Sequence, residues 1–285
     1  MTESQKAGEY RTVQLGQGTI RYRDIGAGPT ILFVHGVLVN GTLWRDVVPH
    51  LSGRFRCVVP DLPLGGHQIA MAAGTDLTPR VVAEIVAAFM VALDLRDVTL
   101  VGNDTGGAIC QIVITAHPKR IARLVLTNCD AYEAFFPMLL RPIHVGFRFG
   151  GDRFAGMLAW ALKHLPAQRA FLKIVAKRRL DDATLDAYLS PFVRDAHVRR
   201  DATRFLASVS NRYTIEAAKR CPSFTRPVLI VWGEDDFVFS AKLARRLHGD
   251  FPDARLEFLA DSRAFVPVDR PDALASHLAA FAAAP

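Results

Sequence analysis

Val98-Thr99-Leu100-Val101-Gly102-Asn103-Asp104-Thr105-Gly106-Gly107 passes from an apolar run into an aspartate flanked by small residues. The first four residues have the character of a fully buried strand. Residues from Gly106 to His117 have the composition of a helix, so Asp104 falls on the turn between the two. A carboxylate at the start of a helix is favoured by the macrodipole, which helps keep it ionised. That placement suits an ordinary helix cap, and it equally suits a carboxylate nucleophile.

The surroundings repeat the same rhythm. Thr12–Leu15 and Thr19–Asp24, joined by Gly16-Gln17-Gly18, form a hairpin signal. Thr30–Val34 and Arg56–Pro60 are buried-strand runs, and Leu43–Leu51 has helical spacing between them. An amphipathic helix is predicted over Pro79–Leu95, with Val82, Ile85, Val86, Phe89 and Leu93 on one side. Ile121–Leu126 is the next strand, after which the alternation stops. It resumes with Pro227–Trp232, a helix over Ala241–Leu247, the strand Arg255–Leu259 and a last helix from Pro271. Strands alternating with helices imply an α/β fold with a mostly parallel sheet covered on both faces. The chain then divides into a core of residues 1–130 and 222–285 and a helical, basic lid of residues 131–221. Inserted between two parallel strands, such a lid belongs over the carboxyl ends of the sheet, where ligands bind.

Gly102, Asp104 and Gly106 match the frame of the G-x-S-x-G elbow, with Asp in the serine position. His35-Gly36 directly follows a buried strand. Asp61-Leu62-Pro63-Leu64-Gly65-Gly66 follows the next, and Trp232-Gly233-Glu234-Asp235-Asp236 follows a late one. Over essentially its whole length the sequence resembles the α/β-hydrolase superfamily. Its elbow is most similar to that of the haloalkane dehalogenase and epoxide hydrolase branch. That resemblance implies that Asp104 attacks carbon to form an alkyl ester, which an activated water then hydrolyses. It implies Asp236 as the triad acid, with Asp235 the neighbouring register. It implies the backbone N–H groups of Val37 and Thr105 as the oxyanion hole, with His35 a structural residue of its loop. Asp130, at the end of the strand before the lid, is an alternative acid.

The sequence departs from that pattern at the base. Asp261-Ser262-Arg263-Ala264-Phe265-Val266-Pro267 holds the register of the family's S-G-H-F-x-P segment, so Ala264 occupies the histidine position. Without an imidazole an ester on Asp104 accumulates instead of turning over. His67, in the loop after Asp61, is the candidate substitute base. His144, His164 and His197 lie in the lid, and Arg263 is placed to neutralise Asp236. The halide-binding Asn and Trp of dehalogenases are replaced by Val37 and Thr105. Tyr132, Tyr188 and Tyr213 are available for the role that lid tyrosines play in epoxide hydrolases. Three functions follow: a hydrolase with Asp104 as nucleophile and a displaced base; a lyase, isomerase or cyclase in which Asp104 moves a proton; or a non-catalytic small-molecule binder.

Composition bounds the partners. Half the residues are hydrophobic and 22% are charged, as in a globular chain able to bury a sizeable core. The formal charge is +7, yet residues 141–222 hold 16 Lys/Arg against 7 Asp/Glu and the remainder is slightly acidic. The basic segment suits an anionic small molecule, or simply the solvated faces of helices. No nucleic-acid motif and no cofactor fingerprint is present, and Cys57, Cys110, Cys129 and Cys221 lack metal-ligand spacing, so neither metal nor cofactor is expected. The polar Met1–Tyr10 stretch and the absence of a long apolar run point to a cytoplasmic protein with no membrane insertion. Nothing in the pattern speaks to oligomeric state.

Overall fold

The computed structural model describes residues 8–283; residues 1–7, part of the polar N-terminal stretch, and residues 284–285 lie outside the described range. Eight strands form one sheet: β1 (Tyr10–Leu15), β2 (Gly18–Ile25), β3 (Thr30–Val34), β4 (Arg56–Pro60), β5 (Val98–Asp104), β6 (Ile121–Cys129), β7 (Val228–Gly233) and β8 (Ala254–Leu259). Their spatial order is β1-β2-β4-β3-β5-β6-β7-β8. The β1–β2 and β2–β4 pairs are antiparallel, and every other pair is parallel. Every residue of β5 is buried, whereas β8 at the edge alternates, with Arg255 and Glu257 turned to solvent. The central strands are continuous apolar runs because helices cover both of their faces.

The helices, in chain order, are α1 (Val48–Leu51), α2 (Pro79–Ala92), α3 (Thr105–Ala116), α4 (Arg141–Val145), α5 (Gly151–Ala161), α6 (Leu165–Leu172), α7 (Asp182–Arg194), α8 (Ala196–Ser208), α9 (Asn211–Ala218), α10 (Ala241–Asp250), α11 (Val266–Asp269) and α12 (Pro271–Ala282). The helix expected over Leu43–Leu51 is instead a 3₁₀ turn at Gly41–Trp44 followed by the short α1. Pro49 has no N–H to offer the preceding turn, so one continuous helix cannot run through it. α2 stops at Ala92, short of Leu95, where Asp94 takes a left-handed φ of 45°. Strands β5 and β6 run further than expected, because Asp104 still pairs with Cys129 after a one-residue register shift past Gly102.

Between β6 and β7 the described residues form helices α4 to α9 and no strand. One buried junction ties this segment to the core. The carboxylate of Asp201 on α8 accepts the Met71 N–H at 2.7 Å, meets His67 Nε2 at 3.4 Å and pairs with the Arg200 guanidinium at 2.8 Å. Asn40 adds a second tie, donating to the Ala187 carbonyl at 2.7 Å. Among the described residues no helix is long and apolar enough to cross a membrane, and all four cysteines are buried and unpaired. Asp201→Ala strands His67, the Met71 amide and Arg200 without their acceptor. Urea unfolding of this variant is expected to show a loss of about 2–4 kcal/mol.

Candidate active site

The carboxyl ends of the parallel strands collect the site residues on one edge of the sheet. His35 follows β3, Asp61 follows β4, Asp104 ends β5, Asp130 follows β6 and Asp236 follows β7. Asp104 sits at φ 55° and ψ −134°, and its side chain caps no amide of α3. Asp181 in the same chain shows what a cap looks like: it is extended, at φ −71°, and accepts the Thr184 N–H. A non-glycine residue at positive φ costs on the order of 1–3 kcal/mol. The ordinary-cap reading of Asp104 therefore fails, because a cap needs neither the strain nor the orientation.

The strain aims the carboxylate at the loop after β3. Asp104 Oδ2 accepts the Val37 N–H at 3.2 Å, and the Thr105 amide also favours the ionised form. Gly36 permits this approach: a Cβ there would lie 1.9 Å from Asp104 Oδ2. Gly106 is equally constrained, since its Cβ would lie 2.3 Å from the Val34 carbonyl oxygen. Gly102 holds the end of the strand, its carbonyl accepting the Thr127 hydroxyl at 3.3 Å. The Asp104 carboxyl is deeply set, at 7% exposure. Burial pushes its pKa up to about 7, against the pull of the two amides, and the nearby Asp236 adds to the rise.

Asp236 is the inward member of the acidic pair. Its carboxylate accepts Asn128 Nδ2 at 2.6 Å and the Val238 N–H at 2.8 Å, while Asp235 turns outward to Lys177 Nζ at 2.5 Å. Burial raises the Asp236 pKa to about 6 despite those donors. Asp130 is fully buried, accepts only the Thr105 hydroxyl at 3.0 Å, and leaves Oδ1 without a partner. Burial, with the Asp104 charge behind it, drives its pKa far above the carboxylate range. Both effects favour the protonated form of Asp130 over the charged one.

No imidazole completes this group. Ala264 is fully buried, and its carbonyl accepts Asn103 Nδ2 at 2.7 Å, which fastens its loop to the turn at Asp104. His35 is committed elsewhere. Its Nε2 accepts the Leu62 N–H at 2.8 Å, so its proton lies on Nδ1, which donates to the Gly36 carbonyl at 2.8 Å. Burial lowers its pKa to about 4, which keeps it neutral. The expectation that His67 substitutes as base is corrected. It is 2% exposed, accepts the Gly65 N–H at Nδ1 and points Nε2 at Asp201. Among the described residues no histidine is hydrogen-bonded to Asp104, Asp130 or Asp236.

Arg263 does not pair with Asp236 either. It donates to the Lys173 carbonyl at 2.7 Å and stacks over Phe237, and only its distant charge is felt at Asp236. Tyr132 donates to Asp250, and the Tyr213 hydroxyl accepts from Arg212. Cys129 is a buried small side chain packed on Gly107. Sequence reasoning missed Asn103 and Asn128, the two amides that position Ala264 and Asp236. Their only signal was polarity at the ends of buried strands. No group of ligating side chains among the described residues suits a metal ion.

A sequence profile of the α/β-hydrolase fold matches residues 29–271. The chain belongs to the α/β-hydrolase family. It is 28% identical to a haloalkane dehalogenase of Mycobacterium tuberculosis over 285 aligned residues, covering 94% of this chain and 93% of that one. It is 25% identical to a cis-3-alkyl-4-alkyloxetan-2-one decarboxylase of Shewanella oneidensis, covering 92% and 84%. Among solved structures, haloalkane dehalogenase DbeA of Bradyrhizobium elkani superposes with a TM-score of 0.80 at 20% identity, covering 96% and 97%. That likeness speaks to the fold.

Asp104 supplies a test independent of any substrate. Its folded pKa of about 7 lies above the ordinary 3.8, so the folded state holds the proton more tightly than the unfolded chain. The associated stability is complete below pH 3.8 and is lost as pH rises through 7. Asp104→Asn removes this loss. The variant is expected to melt several degrees above the parent at pH 8, a gain on the order of 2 kcal/mol, with the difference shrinking toward pH 4.

Proposed function

We propose that this α/β-hydrolase acts on a small organic molecule with an electrophilic carbon, an alkyl halide or epoxide, with Asp104 as nucleophile and a carboxylate in place of the histidine base. The observation that carries this reading is the seating of Asp104. One carboxylate oxygen rests on the Val37 amide while the strained backbone holds the group at the end of β5. The other oxygen attacks carbon and expels the leaving group, which forms an alkyl ester. Residues 131–221 act as the cap over this edge of the sheet.

Water then attacks the ester carbonyl carbon. The Val37 and Thr105 amides receive the charge that develops on Oδ2. Asp236, with a pKa near 6 and close enough to Asp104 to raise it, takes the proton from water. As the tetrahedral intermediate collapses, the bond to the alkyl oxygen breaks, Asp236 returns its proton to that oxygen so that the alcohol leaves, and the Asp104 carboxyl is restored. Asn128 keeps Asp236 oriented for that step. Asp130 accepts the Thr105 hydroxyl, and burial and the Asp104 charge both oppose its ionisation.

A second reading is favoured by the Asp104 pKa of about 7. A carboxyl that is half protonated at neutral pH suits a proton-transfer enzyme of the lyase or isomerase kind. The oxetanone decarboxylase of Shewanella oneidensis, similar over most of this chain, is named for a non-hydrolytic reaction. The two readings part on pH. A nucleophile must be ionised, so the rate rises through about pH 7 and then levels. A general acid must be protonated, so the rate falls across the same range.

Intact-mass measurement after incubation with 1-bromohexane or 1,2-epoxyhexane decides whether Asp104 is alkylated at all. Turnover with Asp104 as the labelled residue is expected, and Asp236→Asn is expected to trap the ester while slowing its release about 10²–10⁴-fold. Neither adduct nor product with either substrate removes the nucleophile reading. Ala264→His, which returns an imidazole to the vacant position, is expected to speed ester breakdown at least tenfold at pH 8; unchanged breakdown would mean that the base is not what limits turnover.

A further inference from the structure

The segment Lys173-Ile174-Val175-Ala176-Lys177-Arg178-Arg179 follows α6 and walls a cavity of about 290 Å³ with α6 and α7. Its floor is apolar and belongs to the core: Leu172, Ala176, Leu180 and Leu185 are all buried. Its rim is cationic, formed by Arg169, Lys173, Lys177, Arg178 and Arg179, and no carboxylate lines it. Carboxylates outside the cavity answer part of that charge. Asp182 pairs with Arg169, Asp235 and Asp261 pair with Lys177, and Asp46 lies 3.9 Å from Arg178. Lys173 and Arg179 have no ion pair among the described residues, and the buried Nε of Arg169 has no acceptor. Two of the rim cations, Lys173 and Arg179, thus stand without a carboxylate partner over an apolar base.

We propose that this cavity binds a soluble amphipathic anion, a phosphate or carboxylate head on a short apolar body. The guanidinium of Arg179 and the Arg169 Nε–H provide planar donors for the head. Lys173 adds a point charge, and the leucine floor takes the body. The charge excludes a cationic ligand, and the apolar floor separates this ligand from bare phosphate. None of the lining residues is Asp104, Asp130 or Asp236, so the proposal does not depend on the chemistry assigned to those acids.

The cavity wall is also fastened to the loop that carries Ala264. Asp269 accepts the backbone N–H groups of Lys177, Arg178 and Arg263, and the Phe265 amide donates to the Val175 carbonyl at 2.8 Å. The binding residues are therefore held by the same bonds that hold that loop, which gives the cavity one fixed wall.

Titration calorimetry of the full chain with octyl phosphate below its micelle concentration tests the proposal. One-to-one binding is expected. It should weaken at least tenfold in Lys173→Ala/Arg179→Ala and stay unchanged in Lys242→Ala/Arg255→Ala, which removes the same charge from another part of the surface. Octanol is expected not to bind, and inorganic phosphate to bind at least tenfold more weakly than octyl phosphate. Both double variants are melted first, and matching transitions show that the folded chain is being compared. No binding of octyl phosphate, or equal weakening in the two variants, overturns the site. Inorganic phosphate binding as tightly as octyl phosphate overturns the role of the apolar floor. Co-sedimentation with phosphatidic acid vesicles that depends on Lys173 and Arg179 overturns the soluble ligand in favour of a membrane headgroup.

Discussion

The amide of Val37 and the carboxylate of Asp104 meet because nothing stands between them at Gly36, where even a methyl group would overlap Asp104 Oδ2. Much of the catalytic edge follows from that approach. It requires β3 and β5 to be neighbours, which the parallel order of the sheet provides. It requires the chain to leave β5 at positive φ and to enter α3 with glycine, because Gly106 presses against the Val34 carbonyl. A buried carboxylate that accepts two amides is an arrangement that resists ionisation less than burial alone would dictate, and a pKa near 7 is the balance of those two effects.

Asp104, Asp130 and Asp236 share a buried, low-dielectric region, and the charge of one makes the next harder to ionise. The protein separates them by their donors. Asp236 has Asn128 and two backbone amides, and it ionises first, near pH 6. The Asp104 carboxyl, with the Val37 amide, lies near 7, and Asp130, with one hydroxyl donor, is pushed furthest toward its protonated form. Burial is the largest influence on all three, and the donors pull each one back toward ionisation.

Fold and site were legible in the sequence to different depths. The strands β3, β5 and β7 announce themselves as apolar runs, and Gly102, Asp104 and Gly106 mark the turn because close backbone contacts tolerate only small residues. What the chain did not disclose is where polar side chains spend their hydrogen bonds. His67 lies next to the site in topology, yet Asp201, 134 positions away, claims it. Arg263 is near Asp236 in the family's arrangement, yet it reaches for the Lys173 carbonyl. Asn103 and Asn128 are single residues whose partners come from other strands. Their roles exist only once β5, β6 and β7 are side by side.

The partners of the remaining histidines bear on the chemistry. Rescue of a lost imidazole by another one needs a histidine whose ring is not already satisfied. His35 uses both nitrogens on its own loop and the next, and His67 uses both to bind a loop to α8. Freeing either ring would break a buried junction, and the unpaired groups left behind would cost several kcal/mol. A carboxylate already present, held by Asn128 and raised toward neutrality by burial, can act as a base without any such rearrangement. On the proposed function, a carboxylate base at Asp236 therefore disturbs less of the buried structure than a displaced imidazole would.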